Sequence, residues 1–224
     1  MLSKLASLTR SQDMTVGTPW RNIVRFSLPL LVGSLVQQLY STVDAIVVGN
    51  YVGHQALASI GASMALINLL LVLFIGVSTG ASILSAQYYG ARDRAQLSTT
   101  IGTTLTLTFL VSVFIMVVGT LITRPLLTLI HTPADVYEGT VSYLTICFLG
   151  IIGIAYYNIL AGVLRGMGDA FMPLVFLCLA CLLNVGLDIL FVAKFGWGVA
   201  GAAWATIFSQ AVSAALCFWR LLRL

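Results

Sequence analysis

Asp44 and Asp188 are the two acids, of seven in the chain, that fall inside long uncharged runs, and no Lys or Arg shares those runs with them. An ionised Asp near the centre of a membrane helix costs roughly 2.5–3.5 kcal/mol on insertion scales, so it turns towards the bundle interior or a wet cavity. Asn184 precedes Asp188 by four positions, which places both on one helix face. Gln37, Tyr40 or Ser41, and Asp44 form a similar polar stripe, and Thr206 lies at a matching depth in a later run. Two carboxyl groups with amide and hydroxyl oxygens offer a site for H+ or Na+. Held close, two carboxylates cannot both ionise cheaply, which makes the pair a cation-dependent switch. The plainer alternative is a protonated Asp making one interhelical hydrogen bond for packing. Two acids at one depth favour the site.

The elements that position these groups are helices in a membrane. Of 224 residues 59% are hydrophobic and only 8% charged, against about 25% charged in soluble domains, which excludes a water-soluble globule and a disordered chain. At roughly 20 apolar residues per crossing the chain allows six spans and no separate soluble domain. The uncharged runs predict an all-α bundle of six transmembrane helices over residues 23–220, with spans near 24–49, 56–86, 96–122, 138–162, 171–193 and 199–219. The second is read as one tilted helix, because two spans and a turn do not fit. Residues 1–22 then form a cytoplasmic N-terminal segment and 221–224 a cytoplasmic end.

Charge placement agrees with six spans. Lys4, Arg10, Arg21, Arg25, Arg92, Arg94, Arg165, Arg220 and Arg223 fall on one side, and only Arg124 and Lys194 on the other. By the positive-inside rule both termini face the cytoplasm, in a cell (inner) membrane, and the basic rim touches anionic lipid rather than nucleic acid. No removable signal peptide is expected in the first 25 residues. Thr18 before Pro19 is read as opening a short interfacial segment. Asp93 with Gln96 resembles a capping box, Thr132 a cap with Pro133 at the first helical position, and Asp169 with Pro173 another helix start.

Catalysis has little to stand on. Cys147, Cys178, Cys181 and Cys217 fall inside spans, and the C-x-x-C at Cys178 and Cys181 has no supporting histidine, so all four read as inert thiols. His54 and His131 are loop residues. No nucleophile triad, phosphate loop or paired metal ligands are present, and no enzyme or resident cofactor is expected beyond the coupling ion, H+ or Na+. An intramembrane aspartyl protease would need a glycine where Leu187 stands and a tyrosine where Val43 stands.

Four stretches carry a family resemblance. They are Ser27-Leu28-Pro29 followed by residues 37–44 and Val48-Gly49-Asn50; Gln87-Tyr88-Tyr89-Gly90-Ala91; Leu164-Arg165-Gly166-Met167-Gly168-Asp169 with Pro173; and Asn184-Val185-Gly186-Leu187-Asp188 with residues 198–206. In this order and spacing the chain resembles the multidrug and toxic compound extrusion (MATE) transporters from about Met14 to Leu216. The resemblance implies the amino-terminal six-helix lobe of a two-lobed antiporter that exports amphipathic, mostly cationic drugs or toxic compounds in exchange for H+ or Na+. It implies a cation site of Gln37, Asp44, Asn184, Asp188 and Thr206, joined by Asn158, whose depth estimate lies nearer the cytoplasm. It also implies a conformational hinge at Pro29, where a lost hydrogen bond permits bending. One lobe where the family uses two leads to the expectation of a second lobe or a homodimer partner. The alternatives are a non-transporting half-length fragment or partner subunit, and a lipid-linked oligosaccharide flippase, although no basic residue for pyrophosphate lies within the spans.

Overall fold

The computed structural model describes residues 18–223, which form helices joined by short turns, with no strand among the described residues. In chain order they are α1 (Pro19–Tyr51), α2 (His54–Gly90), α3 (Arg94–Leu129), α4 (Ala134–Leu149), α5 (Ile151–Gly166), α6 (Phe171–Asp188), a π-helical segment (Ile189–Lys194) and α7 (Gly198–Leu221). Helices α1, α2 and α3, α6 with its π segment, and α7 are each long and apolar enough to cross a membrane. Helices α4 and α5, bent by 52° to each other, are together long and apolar enough for a sixth crossing. The second span is a single helix of 37 residues, roughly 55 Å long. Lys4, Arg10 and the first 17 residues of the expected amino-terminal segment lie outside the described residues.

Several boundaries differ from expectation, each for a local reason. The span expected as one run near 138–162 breaks at Gly150, which ends α4 and begins α5. A Cβ there would run into Ile207 of α7, so glycine lets the break sit against the neighbouring helix. No separate interfacial segment follows Thr18: α1 runs unbroken from Pro19 through Pro29. Pro133 occupies the N-cap of α4 rather than its first turn, and no side chain caps that end, so Thr132 is not its cap. Asp93 does cap α3, accepting the Gln96 N–H at 3.0 Å. Asp169 accepts the Met172 N–H at 3.2 Å and also a 2.9 Å contact from Arg220 Nε, and its side chain is only 1% exposed. It is a buried strut between the α5–α6 turn and the end of α7, not a solvated loop acid.

Packing divides the bundle into layers. Helices α5 and α7 lie at its middle; α2 packs on α5, and α1 and α6 pack on each other beside α7. Towards the arginine-rich end, Leu160, Leu164, Phe176, Leu177 and Cys217 form one apolar cluster. Towards the other end, Val47, Val48, Tyr143, Val192 and Ala202 form a second. Small residues bring the helices close, as they must where the surrounding lipid is as apolar as the side chains. A Cβ on Gly162 would strike Ser78 of α2, including its carbonyl oxygen at 2.9 Å, whereas one on Gly80 would meet nothing within 4 Å. Gly162→Val should therefore cost about 1–3 kcal/mol and lower the melting temperature in detergent. Gly80→Ala should leave it unchanged or raise it. Equal tolerance at both positions would contradict the close α2–α5 contact.

Candidate functional site

Three helices each present a polar pair at i, i+4 spacing: Tyr40 and Asp44 on α1, Asn184 and Asp188 on α6, Thr206 and Gln210 on α7. That spacing aims both members of a pair to one side. On every one of these helices the pair falls between residues of the two apolar clusters. Val36 and Val47 bracket it on α1, Leu177 and Val192 on the sequence through α6, and Ala203 and Ala214 on α7. The result is a polar layer enclosed above and below by hydrocarbon.

Within that layer the carboxyl groups of Asp44 and Asp188 are neighbours, and the Tyr40 hydroxyl lies beside Thr206 and Ser209. Tyr143 and Cys147 of α4 close another wall, next to Asp44. Asp44 is 5% exposed, and Asp188 and Asn184 are 0% exposed. Neither acid has a basic partner among the described residues, whose ion pairs are Arg124 with Glu138 and Arg220 with Asp169. Tyr40, Asp44, Asp188, Asn184, Thr206 and Gln210 bring their polar atoms together in this buried layer, where the Tyr40 hydroxyl meets Thr206 and Ser209 and the two carboxyl groups meet each other. A polar group left unpaired in such a place costs about 1–3 kcal/mol, so these groups must share protons with one another or with a bound ion. All but one of the atoms they bring are oxygens. The donor set is that of a hard cation, or of a proton shared between carboxylates.

Gln37 and Asn158 lie elsewhere. Gln37 is exposed, with Ser34, Gln38 and Thr42, on a flank of α1 beside the site. Asn158 lines a separate cavity with Ser78 and Arg165, and its Nδ2 donates to the Ile154 carbonyl at 2.8 Å. Pro29 sits inside α1, roughly four turns before Asp44. Gln210 was not among the expected site residues, although its position one turn after Thr206 is the signal that finds it. The π segment that starts directly after Asp188 is also new. Such wide turns occur disproportionately at functional sites, and no residue in Ile189–Lys194 announces one.

The profile of the MatE family matches residues 29–190 of this chain. The chain belongs to the MatE family. Among its relatives, the probable multidrug resistance proteins YoeA and YpnP of Bacillus subtilis (strain 168) are 34% and 30% identical to it. Those alignments cover 89% and 91% of the chain, and 44% and 46% of the relatives. A solved MOP superfamily transporter from Pyrococcus furiosus is similar at 30% identity and a TM-score of 0.86, over 92% of this chain and 46% of that one. The chain thus spans about half the length of the relatives it matches, and its bundle is similar to one half of that solved transporter.

Replacing one of two adjacent buried carboxyls by its neutral isostere removes an uncompensated burden. Asp188→Asn should melt in detergent at or above the wild-type temperature. A clear loss of thermal stability would mean that the carboxylate already has a partner that balances it.

Proposed function

We propose that this MatE lobe binds H+ or Na+ between Asp44 and Asp188 and uses that event to drive export of amphipathic, mostly cationic compounds. The observation that carries the reading is the enclosed cluster of oxygens around two adjoining acids that have no basic partner among the described residues. A cation entering there satisfies Asp188, Asp44, Asn184 and Thr206 at once. It draws α1 towards α6, and Pro29 gives α1 a point at which to bend because the carbonyl one turn back has no N–H to accept. The exposed amides of Gln37 and Gln38, set between exposed Leu35 and Leu39 on α1, support a neighbouring surface or pathway with polar groups to meet them. The multidrug resistance relatives suggest the substrate class. A second lobe, or a second copy of this chain, would provide the opposite wall. The bias of nine Lys and Arg against two supports a reading with both termini on the cytoplasmic side of an inner membrane.

Ethidium efflux by the purified chain in proteoliposomes, under an imposed H+ or Na+ gradient, tests the reading. Gradient-driven efflux should fall at least about tenfold in Asp188→Asn. Efflux that is equal in wild type and variant would contradict coupling through this pair. Absence of efflux from a folded wild-type chain would contradict transport by copies of this chain alone and leave the opposite wall to a different lobe.

A further inference from the structure

Arg165 stands in the last turn of α5 and opens onto a cavity of about 160 Å³ between α5 and α2. The volume is many times the roughly 10–15 Å³ needed for one water. Asn158, Ser78, Thr79 and Ser82 line it, and Ile75 and Ile83 flank its mouth at 52% and 54% exposure. The cavity is distinct from the layer that holds Asp44 and Asp188, and it lies towards the arginine-rich end of the bundle.

Part of its hydrogen-bonding capacity is already used. The Ser78 hydroxyl donates to the Asn158 carbonyl at 2.7 Å and the Thr79 hydroxyl to the Ile75 carbonyl at 2.8 Å. One Asn158 amide hydrogen goes to the Ile154 carbonyl. What remains is the guanidinium of Arg165, the Ser82 hydroxyl, and the second amide hydrogen and the side-chain oxygen of Asn158, a set in which donors outnumber acceptors. Acids that could neutralise Arg165 are engaged elsewhere at this end: Asp169 with Arg220, and Asp93 at the cap of α3. Among the described residues Arg165 has no acid beside it; a half-buried guanidinium so placed is costly, and its planar fork is matched to phosphate and carboxylate oxygens. A surface anchor would instead be expected to extend into solvent.

We propose that the cavity between α2 and α5 binds a phosphate group, held by Arg165 with Ser82 and Asn158. The apolar mouth favours the headgroup of an anionic lipid: Ile75 and Ile83 lie eight residues apart on α2, about 12 Å along its axis, a track for an acyl chain. A free phosphate would use the same donors without that track. The assignment gives Asn158 to this site rather than to the cation layer, and it stands independently of the transport reading.

Native mass spectrometry of the purified chain, titrated with phosphatidylglycerol or phosphatidylcholine, reads the site directly, with thermal unfolding in inorganic phosphate beside it. Phosphatidylglycerol adducts should exceed phosphatidylcholine adducts about tenfold, as a charge-assisted contact implies. They should drop to the phosphatidylcholine level in Arg165→Gln and stay unchanged in Arg94→Gln. Protection by inorganic phosphate that depends on Arg165, with no preference between the lipids, would uphold the phosphate site and identify its occupant as soluble. No lipid preference together with no phosphate effect in the wild type would overturn the proposal, as would a preference that survives Arg165→Gln. Should that variant fail to fold, Ser82→Leu, which fills the cavity from α2, must abolish the preference in its place.

Discussion

Two carboxyl groups buried side by side in hydrocarbon, with no basic residue among the described residues to balance them, set the terms for the rest of this bundle. Such a pair is expensive, and nothing in the lipid repays it. The fold meets that cost by building apolar packing on both sides of the layer, so that each of α1, α6 and α7 passes from one cluster through its polar pair into the other. The pair is thereby held by helices that cannot slide independently. A ligand that balances the carboxyls changes the energy of three helix contacts at once.

The same economy explains the irregular elements. A bundle of straight helices would place every residue on a fixed 100° wheel. Here the fourth crossing breaks at Gly150, where Ile207 leaves no room for a side chain, and the fifth widens into a π turn immediately after Asp188. Both departures lie beside helices that carry the site. At the other end, Asp169 and Arg220 tie the α5–α6 turn to α7 with a pair in which both charges find partners. Balanced charges make a strut at one end. Two acids without such a partner among the described residues lie in the middle.

Much of this was legible in the residues. Charge-free runs and the distribution of Lys and Arg yield the six crossings, because the bilayer demands about 20 apolar residues each time. Asp44, Asn184, Asp188 and Thr206 come together because helical spacing and depth can be counted along a chain. What could not be read was anything decided by contact between helices. The break at Gly150 depends on Ile207, more than fifty residues away, and the π turn has no residue signature. Asn158 is polar and inside a span, as a cation-site residue would be, yet it faces the α2 side of α5 and meets Ser78 and Arg165. Gln37 shares a stripe with Asp44 on a helical wheel, but its side chain lies on the exposed flank.

The central claim is that Asp44 and Asp188 form one site for one cation, not two acids with separate tasks. Thermal unfolding of wild type, Asp44→Asn, Asp188→Asn and the double variant, each scanned across Na+ concentration and across pH, tests it as a double-mutant cycle. The account predicts a cation-dependent rise in melting temperature in the wild type that either single substitution abolishes, with no further loss in the double variant. A rise that is half retained in each single variant and lost only in the double would contradict it.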